Sequence, residues 1–465
     1  MRAHAQGTAI GHRHLSKRLP SRRDECWPVI PSASIGCMSR RACTREFTGF
    51  ADTAFLPSRH RHARVAFVRF SQRLPWSISS NSFSRLIAAR RSAGLPLLDL
   101  TISNPTLALA DYPHRSIAQA YGSLANFQYH PDPFGSREAR CAVISCYEKR
   151  GIQLTPERVA LTASTSEAYS ILFKLLCDPG GEILVPLPSY PLFDYLARLE
   201  GVRVVPYRLL YDGSWFTDFE DLRSGISSST RAIVVVNPNN PTGSYLKASE
   251  ARTLSAIAAE NELPIISDEV FSDYTLFQSP DRLDTFARFD SVVSFSMNGL
   301  SKTAGMPQMK LGWIILNGPA RQIEDLRLRL EIILDTYLSV GTPVQNALPA
   351  LLEIGRGIQT ELKSRAIQNW QTVSQLLMNS PAHPLHVEGG WSAILQLPAN
   401  VSEDDWIARL LEDKGVLVQP GYFFDMQSEA YVVVSLITPP NEFHRGLERL
   451  RQLVTFESEH HGPAK

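Results

Sequence analysis

Apolar positions along this chain follow two rhythms. Short, nearly unbroken runs recur at "VALTAS" (159–164), "EILVPLP" (182–188), "AIVVVNP" (232–238), "LPIISDE" (263–269), "VVSFSM" (292–297) and "GWIILN" (312–317). Runs of this length read as strands buried on both faces. Stretches with apolar residues three and four positions apart separate most of them, which predicts crossover helices between parallel strands. In "LTASTSEAYSILFKLLCD", Ser164 followed by Glu167 fits a capping box, and Ala168, Ile171, Leu172, Leu175 and Leu176 mark one buried face. After "NGPA", helical patterns cover 321–338 and 345–379, and shorter strands follow in "GGWSAILQLP" and "AYVVVSLIT". The expected fold class is α/β. A mostly parallel sheet with helices on both faces forms a large domain (111–325), beside a smaller α+β C-terminal domain (326–465) to which an N-terminal arm (76–110) contributes.

Composition changes this picture mainly before residue 76. The 465 residues are 44% apolar and 20% charged, enough for two or three domains with cores of their own. The net charge of +1 hides an asymmetry, because residues 1–74 hold 14 Lys/Arg against four acids and leave the remainder near −9. Segment 1–75 is rich in Arg, His and Ser, lacks apolar periodicity and is expected to be disordered. Its composition suits an organelle transit peptide, and equally a start codon placed too early. A DNA-binding arm would need a two-helix pattern that "MRAHAQGTAIGHRHLSKRLPSRRDECWP" lacks, so nucleic acid is not an expected partner.

Cys26, Cys37 and Cys43 fall in that segment, whereas Cys141, Cys146 and Cys177 lie in helical patterns without metal-ligand spacing. No metal is expected, and a reduced, cytoplasmic setting is, or an organelle if the extension is a true transit peptide. No run approaches the roughly 18 apolar residues of a membrane span.

Four of the strand runs end in residues of distinct chemical type, and ligands of open parallel sheets bind beyond such ends. Ser164, Thr165 and Ser166 begin a helix, where free N–H groups and hydroxyls bind phosphate, although capping alone would also place them there. Asn240 lies in "NPNNPTG", a turn that calls for Asn, Pro and Gly in any case. Asp268 closes "IISD", where a carboxylate needs a positive partner or several donors, helix capping being the alternative. Lys302 follows "VVSFSM" in "GLSKTAGMPQMKLG", where a solvated loop lysine is the plain reading. One ligand unites them: a planar pyridine with a phosphate tail, a phenolic oxygen and an aldehyde, covered by Tyr190 of "PLPSYPLF".

The ordered set "Y…G…R", "TASTSEA", "PSYP", "NPNNPTG", "SDEV" and "SK" over 76–455 resembles the class I and II pyridoxal-phosphate aminotransferases of fold type I. The resemblance implies pyridoxal 5'-phosphate held as an aldimine on Lys302, with a pyridoxamine intermediate. It implies Asp268 on the pyridinium nitrogen, Asn240 on the phenolic oxygen, Tyr190 stacked on the ring, and Ser164, Thr165 and Ser166 on the phosphate. Tyr129 of "FQYHPDPFGSREAR" would reach the neighbouring subunit's phosphate in a homodimer.

Three positions depart from the family pattern. Phe271 replaces a tyrosine that usually bonds the phenolic oxygen, and Lys310 replaces a phosphate-binding arginine, keeping the charge without the bidentate fork. Val433 stands where an arginine usually grips the substrate's α-carboxylate. Either Ser103 and Asn104 of "LTISNPT" hold that group with Asn240, or the substrate lacks it. Trp391 and Tyr422 are candidate pocket walls, and aromatic core packing would serve equally for each.

Three activities fit these residues. An aminotransferase moves an amino group from an amino acid or amine to a 2-oxo acid. A lyase of the same fold, eliminating at Cβ or closing a ring, would use the same cofactor residues. A ligand-sensing regulator would need a winged-helix segment, which is not seen before Trp76.

Overall fold

The computed structural model describes residues 68–74, 82–426, 428 and 430–460. The basic segment assigned to 1–75, with Cys26, Cys37 and Cys43, lies outside them apart from residues 68–74.

An eight-stranded sheet forms the larger layer. Its strands are β1 (Val159–Thr162), β2 (Glu182–Leu187), β3 (Arg203–Tyr211), β4 (Trp215–Thr217), β5 (Thr230–Val236), β6 (Ile265–Asp268), β7 (Ser294–Gly299) and β8 (Gly312–Asn317). They run in the order β1-β8-β7-β6-β5-β2-β3-β4. The five from β7 to β3 pair in parallel, whereas β8 runs antiparallel to both β7 and β1, and β4 to β3. Successive residues of β5 face opposite sides and are buried on both. Val234 joins the core under Thr165–Leu176 (α1), while Ile233 and Val235 join the core under Ala248–Glu260. That double burial is why these strands are apolar runs rather than alternations. The chain steps from β2 outward to β3 and then back to β5, so the strand order reverses between β2 and β5. The carboxyl ends of strands flanking such a reversal form a crevice.

Two long helices follow, α2 (Ala320–Tyr337) and α3 (Thr342–Leu377). The first half of α3 packs Leu348, Leu351 and Ile358 on the core around the sheet. Its second half packs Ala366, Trp370 and Val373 on a separate core. That second core is closed by Pro440–His460 and by a four-stranded antiparallel sheet. The strands are β9 (His383–Pro384), β10 (Ser392–Gln396), β11 (Gln419–Pro420) and β12 (Tyr431–Ser435), in the order β9-β10-β12-β11. Leu98–Asp99 pairs in parallel with Val416–Leu417, and Phe83 and Leu100 enter the same core, so the segment after residue 82 is built into this layer.

The structure adds β3 and β4, which the run-based reading did not contain. Strand β3 lies near the edge with an exposed and half-buried pattern and carries Pro206, so it has no apolar run to betray it. Among the described residues no helix is long and apolar enough to cross a membrane.

Candidate active site

The carboxyl ends of β5, β6 and β7 lie in register, Val236 beside Asp268 and Asp268 beside Met297. Asp268 therefore stands at the centre of the sheet's open end. Its Oδ1 accepts from the Val270 N–H at 3.2 Å and its Oδ2 from the Tyr169 hydroxyl at 3.1 Å. Desolvation pushes its pKa up to about 6, against the pull of those two hydrogen bonds and of Lys302.

Lys302 sits in the one-turn helix Leu300–Thr303 that leaves β7. Leu300, Ala304 and Met306 anchor this turn in the core. Gly305 closes it at φ 61°, where a Cβ would lie 2.4 Å from the Ile358 side chain of α3, so position and space both demand glycine. The Tyr274 hydroxyl donates to the Lys302 carbonyl at 2.7 Å and pins the backbone. The ammonium lies 4.8 Å from the ring centroid of Trp391 and 5.4 Å from that of Phe271. Burial lowers the Lys302 pKa to about 8, opposed by the charge of Asp268. A half-buried amine with this pKa is far more nucleophilic at neutral pH than a solvated lysine. The rate at which cofactor-free protein captures a small aldehyde should accordingly rise with pH through an inflection near 8, as read by borohydride trapping and peptide mapping. An inflection near the ordinary lysine range of about 10.4 would contradict it.

Asn240 follows β5 in a turn braced by its neighbours. Asn237 Nδ2 donates to the Leu283 carbonyl at 3.0 Å, and Asn239 Oδ1 accepts from the Thr242 hydroxyl at 3.0 Å. Asn240 Oδ1 accepts from the Ser392 hydroxyl of β10 at 3.1 Å, which leaves its Nδ2 as a donor. Ser164 caps α1 and accepts from the Glu167 N–H at 3.1 Å. The reciprocal bond reaches back from Glu167 to the Ala163 N–H at 2.5 Å, one residue earlier than a standard capping box. Capping and anion binding are compatible here, because the N–H groups of Thr165 and Ser166 have no intrahelical partner. Gly312 abuts the Ser164 backbone, which places exposed Lys310 two residues from that helix start, in the left-handed region at φ 49°.

Tyr190 follows β2 and is 42% exposed; burial and then the charge of Asp268 raise its pKa. Tyr129 is 73% exposed, in a groove with Leu334, Leu338 and Val340. Asn104 Oδ1 is occupied as the cap of Pro105–Ala108, accepting from the Thr106 N–H at 3.0 Å, and Ser103 is exposed beside it. The preceding residue, Ile102, accepts from the Ser435 hydroxyl, and Ser435 is the β12 partner of Ser392, which ties this segment to the Asn240 side of the site.

Trp391 is buried in the core, with edge-on contacts to Phe271 at 5.3 Å and Tyr274 at 4.8 Å. Tyr422 is half-buried and packs on the small-domain core. Val433 is fully buried in an apolar cluster with Trp215, Leu385, Ile394 and Phe424. A guanidinium there would be buried without a counter-charge, so the missing arginine is matched by its surroundings. Sequence reasoning missed Tyr169 and Ser392. Each lies inside a pattern that packing alone explains, the first on the buried face of α1 and the second at the start of a short strand whose middle is apolar and buried on both faces.

These groups suit one kind of ligand. An amine of depressed pKa, a carboxylate electrostatically coupled to it, an amide donor, hydroxyls at a helix start and the buried, unpartnered Trp391 Nε1 match a planar phosphorylated pyridine aldehyde. Together with the sheet they define a fold-type I pyridoxal-phosphate enzyme. The model of the family "Aminotransferase class I and II" matches residues 96–450, and the chain belongs to that family. The chain is 25% identical to the glutamate-pyruvate aminotransferase of Haemophilus influenzae over 370 residues, covering 78% of this chain and 91% of the relative. It is 29% identical to the S-alkyl-thiohydroximate lyase of Arabidopsis thaliana over 314 residues, 65% of this chain and 67% of that one. Among solved structures, alanine aminotransferase from Pyrococcus furiosus superposes with a TM-score of 0.74 at 25% identity, over 83% of this chain and 99% of that chain. The protein is a pyridoxal-phosphate-dependent aminotransferase.

Proposed function

We propose that the enzyme moves an amino group from an α-amino acid or amine to a 2-oxo acid, with Lys302 as the covalent anchor of the cofactor. The observation that supports this most is the half-buried Lys302 amine, set over the adjoining rings of Trp391 and Phe271 and electrostatically linked to Asp268. Pyridoxal phosphate, when bound, supplies an aldehyde that exchanges amines and a ring that accepts the electron pair left at the substrate's Cα.

The chain's residues hold and direct that chemistry. Ser164, Thr165, Ser166 and the first turn of α1 hold the phosphate, with Lys310 as the nearby cation. Asp268 would hold a proton on the ring nitrogen, Asn240 would donate to the phenolic oxygen, and Tyr190 would cover the ring. Lys302, with its amine free, would be the base that moves the proton at the substrate's Cα. A substrate carboxylate meets Ser103, Asn104 and Asn240, with Trp391 as the wall, because Val433 offers no cation.

The working form is a homodimer in a cytoplasmic setting. Leu124, Phe127 and Tyr129 are largely exposed, as are Ile332 and Tyr337 of α2, and Tyr129 and Leu338 line the same groove. A second copy covering that surface would bring Tyr129 to the neighbour's phosphate.

Incubating the cofactor-loaded enzyme with alanine, glutamate, tyrosine, a β-substituted amino acid with a leaving group on Cβ, and amines lacking an α-carboxylate tests the reading. The expected products are pyridoxamine phosphate and the matching oxo compound, with no ammonia. Ammonia and pyruvate from a β-substituted amino acid would instead favour a lyase, the activity named for the Arabidopsis relative.

A further inference from the structure

We propose that Tyr169 is a positioning residue for Asp268, its hydroxyl fixing the plane of the carboxylate and keeping it ionised opposite the cofactor ring. This rests on the reading that Asp268 faces the ring nitrogen. Tyr169 lies one turn into α1 and is only 3% exposed. Its ring is clamped edge-on by Phe193 at 5.1 Å and tilted against Phe173 at 5.8 Å, so the hydroxyl cannot swing away from Asp268 Oδ2 at 3.1 Å. The Val270 N–H holds the other oxygen. Two donors from different elements thus fix both oxygens of one carboxylate.

The titratable groups that face Asp268 are Tyr169 from α1, Tyr190 from the turn after β2 and Lys302 from the turn after β7; Tyr207 of β3 in turn interacts with Tyr169. Burial and the Asp268 charge hold the Tyr169 phenol well above its ordinary pKa. It is therefore a permanent donor in the working pH range, and a donor to a carboxylate favours the ionised form. A guanidinium or imidazolium in its place would compete with the ring nitrogen for the same negative charge. A neutral phenol orients the carboxylate and leaves the charge available.

Tyr169→Phe keeps the clamped ring and removes only the donor. Tyr207→Phe is the control, since it deletes an equally buried hydroxyl that donates to the Val234 carbonyl at 2.8 Å, away from Asp268. In cofactor-free protein the infrared carboxylic-acid band lost in Asp268→Asn reports the protonation of Asp268. Its midpoint, near 6 in the wild type, should move up by about one unit in Tyr169→Phe and stay in place in Tyr207→Phe. In the loaded enzyme kcat should fall about tenfold with KM nearly unchanged. A midpoint unchanged in Tyr169→Phe overturns the proposal alone. A shifted midpoint with an unchanged kcat overturns the role given to Asp268 in the reaction, and the positioning role with it.

Discussion

Lys302→Ala should reduce turnover of every amino donor by about 10⁴-fold or more, because in the proposed mechanism one side chain would supply both the covalent anchor and the base. The two roles separate on inspection of the residue's surroundings. As anchor, the amine needs a depressed pKa, and burial provides one near 8 while Asp268 limits the drop. As base, it needs a fixed reach, and the turn closed by Gly305 and pinned by Tyr274 provides that. Alanine removes the amine and leaves both the turn and the phosphate cradle intact. Cofactor should therefore still bind without a covalent bond, which equilibrium dialysis of the purified variant would show. Added alkylamines should restore some turnover by supplying a free base, whereas loss of the fold would allow no such rescue.

Asp268→Asn should cost about 10³-fold in turnover while making the cofactor-free protein more stable at pH 8. The activity figure follows from the proposed pairing of this carboxylate with a protonated ring nitrogen. At contact distance and an effective dielectric near 20 this is worth about 4 kcal/mol, or roughly three decades in rate. The stability gain follows from linkage. The folded pKa of Asp268 is about 6, above its ordinary 3.8, because burial disfavours the charge. The folded state thus binds the proton more tightly than the unfolded chain does. The cost of the carboxylate is absent below pH 3.8, grows between pH 3.8 and 6, and is complete above 6. A two-unit shift corresponds to about 3 kcal/mol as an upper bound, and partial access of the group to solvent reduces it. The asparagine variant without cofactor should melt about 2–4 °C above the wild type at pH 8, and the gap should close at pH 4. An equal gap at both pH values would show that the substitution acts through packing.

The large sheet was legible because its central strands are buried on both faces and so carry unbroken apolar runs. Lys302, Asp268 and Asn240 could be placed because each ends such a run. Strand β3 was hidden by its edge position and Pro206, which leave no periodic apolar signal. Tyr169 was hidden for a different reason. On the buried face of an amphipathic helix a tyrosine reads as core, and only the fold shows that its hydroxyl meets a carboxylate 99 residues away. Ser392 is concealed in the same way, its bond to Asn240 spanning 152 residues and two layers. The substitution at Val433 was visible as a departure, and the structure supplies its physical setting. Trp215, Leu385, Ile394 and Phe424 surround the position, an apolar setting that valine suits and an unpaired guanidinium would not.

The most direct test of the central assignment is borohydride reduction of the yellow, cofactor-loaded enzyme, followed by peptide mapping. The account predicts a single phosphopyridoxyl label on Lys302 in the peptide "SMNGLSK" and its extension, abolished in Lys302→Ala. Label on Lys310, or on any lysine other than Lys302, would contradict it.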